Sequence, residues 1–149
     1  MIDRLLIIAH LLGSAVWVGG HVVVLAVVVP AARRAGSAQP VIDFERAFGR
    51  PAMVALAVQL ITGLWLTRRW IPSLSETFTN PSPSSHLILV KVFLLVASAA
   101  FGAHAAHRIL PSLTFETLTR FVRHAWIVML LAVLLVVCGV GVRTGGLFT

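Results

Sequence analysis

The sequence predicts an all-α membrane protein, a bundle of four transmembrane helices made of two helical hairpins. Of its 149 residues 58% are hydrophobic and 11% charged, an apolar share above the roughly 45–50% usual in soluble domains. Four apolar stretches are each long enough for a bilayer core of about 30 Å, which takes roughly 20 residues at about 1.5 Å each. The basic residues gather at the borders of those stretches, which is how membrane proteins place them. The net charge of +7 is therefore a topological signal, and binding to nucleic acid is not expected. A lone cysteine, Cys138, excludes a disulfide framework and a Cys-rich metal finger.

The first span covers Leu5–Val29 and is longer than a signal-peptide core of about 7–15 residues; Pro30 and Arg33-Arg34 follow it. The second covers Pro51–Ile71, with proline at a position suited to the first turn of a helix. Leu87–Leu110 is the third, stopped by Pro111, and Phe121–Val142 the fourth. Between the second and third, Ser73–Ser85 is rich in Ser, Thr and Pro and reads as an irregular external loop. The connections 30–50 and 111–120 carry Val41, Phe44 and Phe48, and Leu113, Phe115 and Leu118, expected as short helices lying in the interface plane. Each connection also holds a Phe-Glu pair with an arginine a few residues on, Phe44-Glu45 with Arg50 and Phe115-Glu116 with Arg120, a hint of a duplicated hairpin. Seven arginines flank these two connections and four the opposite side. The excess places the connections in the cytoplasm and both termini outside a bacterial-type inner membrane.

Ionisable residues inside a span are costly and mark the first places to look for function. Here they are His10 and His21 in the first span, and Lys91, His104 and His107 in the third, with His86 and His124 at helix mouths. Neutral imidazole ligates haem iron and copper and carries protons. His10 and His21 are 11 residues apart, so they share one helical face to within about 20° and lie about 16 Å apart along the axis. The third helix runs the other way, which puts Lys91 near the depth of His10 and His104 near that of His21. His21 and His104 thus make the depth-matched pair for a bis-axial haem b, and His10 with Lys91 or His86 an outer site for a second haem, a quinol or copper. Trp17 is mid-span and expected to face the bundle or a cofactor, while Trp65, Trp70 and Trp126 belong to the interfacial belts. Gln59 lies near the depth of His21, placed to hydrogen-bond a ligand. Small residues, among them Gly13, Ser14, Gly19, Gly20, Gly63, Ser98, Gly102, Gly139 and Gly141, give each helix a face for close approach.

The pattern His10-x6-Trp17-x2-Gly20, the run Phe48-Gly49-Arg50-Pro51 leading to Ile61-Thr62-Gly63-Leu64, and the helix start Leu89-Val90-Lys91 resemble the copper-resistance protein D (CopD) family and the related HemJ-type protoporphyrinogen oxidases. By this resemblance His10 matches the family's first-helix histidine and Lys91 its third-helix lysine. HemJ-type enzymes carry Asn-Glu-x-Pro at the start of the fourth helix, where this chain reads Phe121-Val122-Arg123-His124-Ala125-Trp126. The larger CopD proteins are linked to copper handling and have more spans. Two functions follow as expectations: a haem b membrane cytochrome moving electrons between a quinol or a partner protein and the other membrane face, with one or two haems, or CopD-type copper handling through His10, His21, His104 and His107. A cofactor-free accessory subunit of a membrane complex is a third, and assembly as a homo-oligomer or within such a complex is expected in each case.

Overall fold

A computed structural model describes residues 1–70 and 83–144. Helix α1 runs Ile2–Ala35, passing through a π turn at Val24–Val28. Helix α2 is Gln39–Trp70, α3 is Pro83–His104, and α4 is Leu118–Thr144. Four helical segments are long and apolar enough to cross a membrane, and no strand occurs among the described residues. The chain is a multi-pass, all-α membrane protein. Helix α1 packs against α2 and α3 against α4, and the two hairpins join where α1 meets α4, while α2 and α3 touch far less. Ile71 and the loop expected from Ser73 lie outside the described residues as far as position 82, and helix is already formed at Pro83.

Two prolines expected to follow helix ends prove more permissive. Pro30 lies inside α1, at the start of the segment Val29–Ala35, just beyond the π turn. Proline removes an N–H and presses on the carbonyl four residues back; the wider π turn relieves that clash and lets the helix go on. It ends instead at Gly36, whose φ of 59° forms a left-handed cap, a conformation that glycine adopts without steric cost. Helix α3 repeats the device. A π turn at Ala105–Ile109 is followed by a 3₁₀ turn, Leu110–Ser112, containing Pro111. In both hairpins the proline stands two residues after the π turn, an echo that agrees with the paired Phe-Glu signals.

Neither connection forms an interfacial helix. Helix α2 begins at Gln39 and contains Pro51 in its interior, so Val41, Phe44 and Phe48 belong to its first turns. Val41 is fully buried and packs in a cluster with Val24, Val28, Val29, Leu113, Leu118 and Phe121. Val41, Phe44, Leu113 and Leu118 found partners inside the bundle, and burial against protein removed their reason to lie on a membrane surface; Phe115 stays 47% exposed. The second connection closes through Thr114 and Thr117, each backbone N–H donating to the other's hydroxyl. A second, mid-bundle cluster centres on Trp17, Val128 and Ala132. Trp65 and Trp126 are 49% and 59% exposed, facing outward as belt residues do.

Candidate functional site

The inward face of α1 is the backbone of the site. His10, Ser14, Trp17 and His21 follow one another at steps of four, three and four residues, the spacing that keeps side chains in one stripe. Each finds a partner or a cavity. His10 Nδ1 and Thr62 Oγ1 of α2 are 2.8 Å apart. The Thr62 hydroxyl donates to the carbonyl of Val58 at 2.5 Å, so it accepts from His10 Nδ1–H, and the Nε2 of a neutral ring keeps its lone pair. One turn further in, Gln59 Nε2 donates to Ser14 Oγ. Gln59 therefore braces α2 against α1, where it was expected to reach a ligand.

His21 Nδ1 donates to the carbonyl of Trp17 at 2.8 Å, again leaving Nε2 as the acceptor nitrogen. On α4, His124 Nε2 donates to the carbonyl of Phe101 at 2.7 Å, so there the free acceptor is Nδ1. A carbonyl can only accept, and this fixes both tautomers in the manner that outer hydrogen bonds orient metal-ligating imidazoles. The two rings are near enough to feel each other's charge. Both line a cavity of about 600 Å³ to which all four helices contribute, with Trp17, Glu45, Arg50, Ala105 and Phe121 among its walls. It sits at the end of the bundle that bears the two short connections. The π turns of α1 and α3 both border it, through Val24, Ala105 and Ala106, in line with the frequent occurrence of such turns at functional sites.

His104 is placed otherwise than the depth argument expects. It is exposed on the outside of α3, does not line the cavity, and lies beside His124 with ring centroids 5.6 Å apart and the rings tilted by 34°. The residue that joins His21 at the cavity is His124. Sequence reasoning placed it at a helix mouth because the fourth span was started at Phe121, whereas α4 begins at Leu118 and carries His124 inside. His107 and His86 are also exposed. At the other end, Lys91 lies within electrostatic reach of His10. Its ammonium points into the bundle, 3.4 Å from where a Cβ on Gly139 would be, and the His10 ring lies 3.3 Å from the equivalent position on Gly63. Two glycines thus make room for two polar heads.

Replacing Thr62 by valine keeps the shape and deletes the acceptor for His10. The expected cost is about 0.6 kcal/mol, the average for a side-chain hydrogen bond between membrane helices, read as a small shift in the midpoint of unfolding by a denaturing detergent. A shift several times larger would mean that Thr62 carries more than this one bond.

Among the described residues no three His, Cys, Asp or Glu side chains converge to hold one metal ion. The haem pair expected from depth, His21 with His104, is not assembled around a common space, and haem gains no support from the family finding below.

No curated protein and no solved structure matches the chain. The sequence model of one family, described as copper resistance protein D, matches residues 42–142. That stretch includes Phe48-Gly49-Arg50-Pro51, Thr62, Lys91 and His124, and leaves the polar stripe of α1 outside it. Spanning more than half of the sequence and three of its four helices, the match shows that the chain belongs to the copper resistance protein D (CopD) family.

Proposed function

We propose that this protein moves copper ions as cargo through the membrane, handing them along imidazoles set at two depths, with its short connections in the cytoplasm and its termini outside the inner membrane. The observation that carries this reading is the polar stripe of α1, His10, Ser14, Trp17 and His21, in which Nδ1 of each histidine is held by an oxygen acceptor, Thr62 Oγ1 or the Trp17 carbonyl. Imidazole suits copper, and a neutral ring with a bound Nδ1–H has its remaining lone pair ready for a cation. One or two ligands per site favour passage over storage, since an ion that is to leave must not be held too firmly. The seven-to-four distribution of arginines supports the orientation.

The test is copper flux into liposomes containing the purified protein and an enclosed copper-sensitive dye. Saturable flux well above that of protein-free liposomes is expected. No flux from protein that elutes as a single species and retains its helical spectrum would overturn the reading. An absorption spectrum of the same preparation checks haem directly, and a Soret band would return the cavity to the cytochrome expectation.

A further inference from the structure

The cavity at His21 and His124 has features that copper handling alone does not account for. It is large for an ion, at about 600 Å³, and falls within the roughly 300–1,000 Å³ typical of sites for organic molecules. Its walls are chiefly apolar: Val24, Phe48, Met53, Leu110, Phe121 and Val128. Its polar groups are few: His21, His124 and Glu45 offer acceptors, and Arg50 and Trp17 offer donors. His21 Nε2 and His124 Nδ1 are acceptors, because the other nitrogen of each ring already donates to a carbonyl. Glu45 adds a carboxylate, which accepts when ionised. Trp17 also lines it, and its indole N–H has no hydrogen-bond partner in a residue that is only 8% exposed. A buried donor without a partner costs about 1–3 kcal/mol, and a bound oxygen would remove that cost. On α2, the lining residues Met53 and Val54 are 60% and 64% exposed, so the cavity has an apolar edge facing the membrane.

We infer that this cavity binds the ring of a membrane hydroquinone, with its hydroxyls donating to His21 Nε2 and His124 Nδ1 and its hydrocarbon tail leaving past Met53 and Val54. The ring nitrogen left to each of the two histidines is an acceptor. A quinol brings two O–H donors to two bare ring nitrogens, whereas a quinone brings only carbonyl acceptors and leaves both imidazoles unsatisfied. Sites built to hydrogen-bond a hydroxyl reject ligands that lack it, because their own polar groups are then stranded. The site is thus selective for the reduced form. This inference does not rest on copper transport, since it concerns binding to the metal-free protein.

The experiment is calorimetric titration of the purified, chelator-treated protein in detergent with decylubiquinol, kept reduced by ascorbate, and separately with decylubiquinone. The quinol is expected to bind saturably at one site per chain and at least about tenfold more tightly than the quinone, the discrimination of one buried hydrogen bond to an unsatisfied group. Ala105→Leu, which narrows the cavity and keeps both histidines in the chain, is expected to weaken binding strongly. His21→Leu and His124→Leu should each lower the affinity and bring quinol and quinone closer together, while His21→Gln, whose amide oxygen can take the place of Nε2, should keep part of the preference. Helical spectrum and elution volume confirm that each variant is folded. Equal affinity for the two redox forms, quinol binding that survives both leucine substitutions, or no saturable binding to the folded protein would overturn the inference. So would a haem that purifies with the protein, depends on His21 and His124, and is not displaced by quinol. Failure of copper flux alongside quinol binding would remove the transport reading and leave this one standing.

Discussion

Substituting His21 and His124 together by alanine is expected to lower copper flux through the reconstituted protein by at least about 100-fold, the upper end of what loss of a single outer-shell partner costs a metal site. The reason is that no third ligand stands by. Among the described residues no trio of His, Cys, Asp and Glu side chains surrounds an ion, and Cys138 is buried on α4 far along the helix from His124. Each single variant should lose most of the flux, because one neutral imidazole in an apolar cavity is a poor replacement for water around a cation. His104→Ala is the internal control. His104 touches His124 from outside with ring centroids 5.6 Å apart and does not line the cavity, so its loss should change flux less than either cavity histidine. Equal losses at His104 and His124 would sink the cavity assignment and restore the depth-matched pair.

That comparison also marks where the sequence was readable. Apolar run length identified all four helices, because a bilayer sets the length and the chain has few other constraints. The polar face of α1 was legible as well, since a regular helix converts a spacing of 11 residues into a shared direction by arithmetic alone. Pairing across helices was not. It depends on how each helix is rotated about its own axis against its neighbours, which spacing within one helix does not give: His104 precedes the π turn of its helix and still stands exposed. An early start for α4 had a clue in the apolar Leu118, which reads as part of a separate interfacial helix until its partners Val41 and Phe121 are in place. Gln59 illustrates the same limit. Expected near the depth of His21, it lies at the level of Gly13 and Ser14, nearer His10, because a side-chain amide pairs with whatever polar group a neighbouring helix offers, and that group was Ser14.

The second large effect is on the bundle itself, and two glycines of one helix are expected to behave in opposite ways. A Cβ on Gly13 would stand 3.1 Å from the Ala55 backbone oxygen and 3.1 Å from Gln59 Cγ. The carbonyl belongs to the backbone of α2 and cannot turn aside, so the two helices must separate. Gly13→Leu is therefore expected to cost at least the 1–3 kcal/mol or so typical of overpacking. It also pushes on Gln59, which donates to Ser14, so the polar stripe should lose its brace and copper flux should fall with stability. Gly19 is six residues on and has nothing within 4 Å of the same position. There alanine meets no neighbour and supplies a better helix former, worth roughly 0.8–1.0 kcal/mol in an exposed helix, and Gly19→Ala should leave the protein as stable as before or more so. Unfolding in a denaturing detergent, followed by helical signal, compares the two. If both substitutions were equally harmful, the close contact of α1 with α2 at Gly13 would not be what holds the first hairpin together, and the seating of His10 on Thr62 and Gly63 would need another cause.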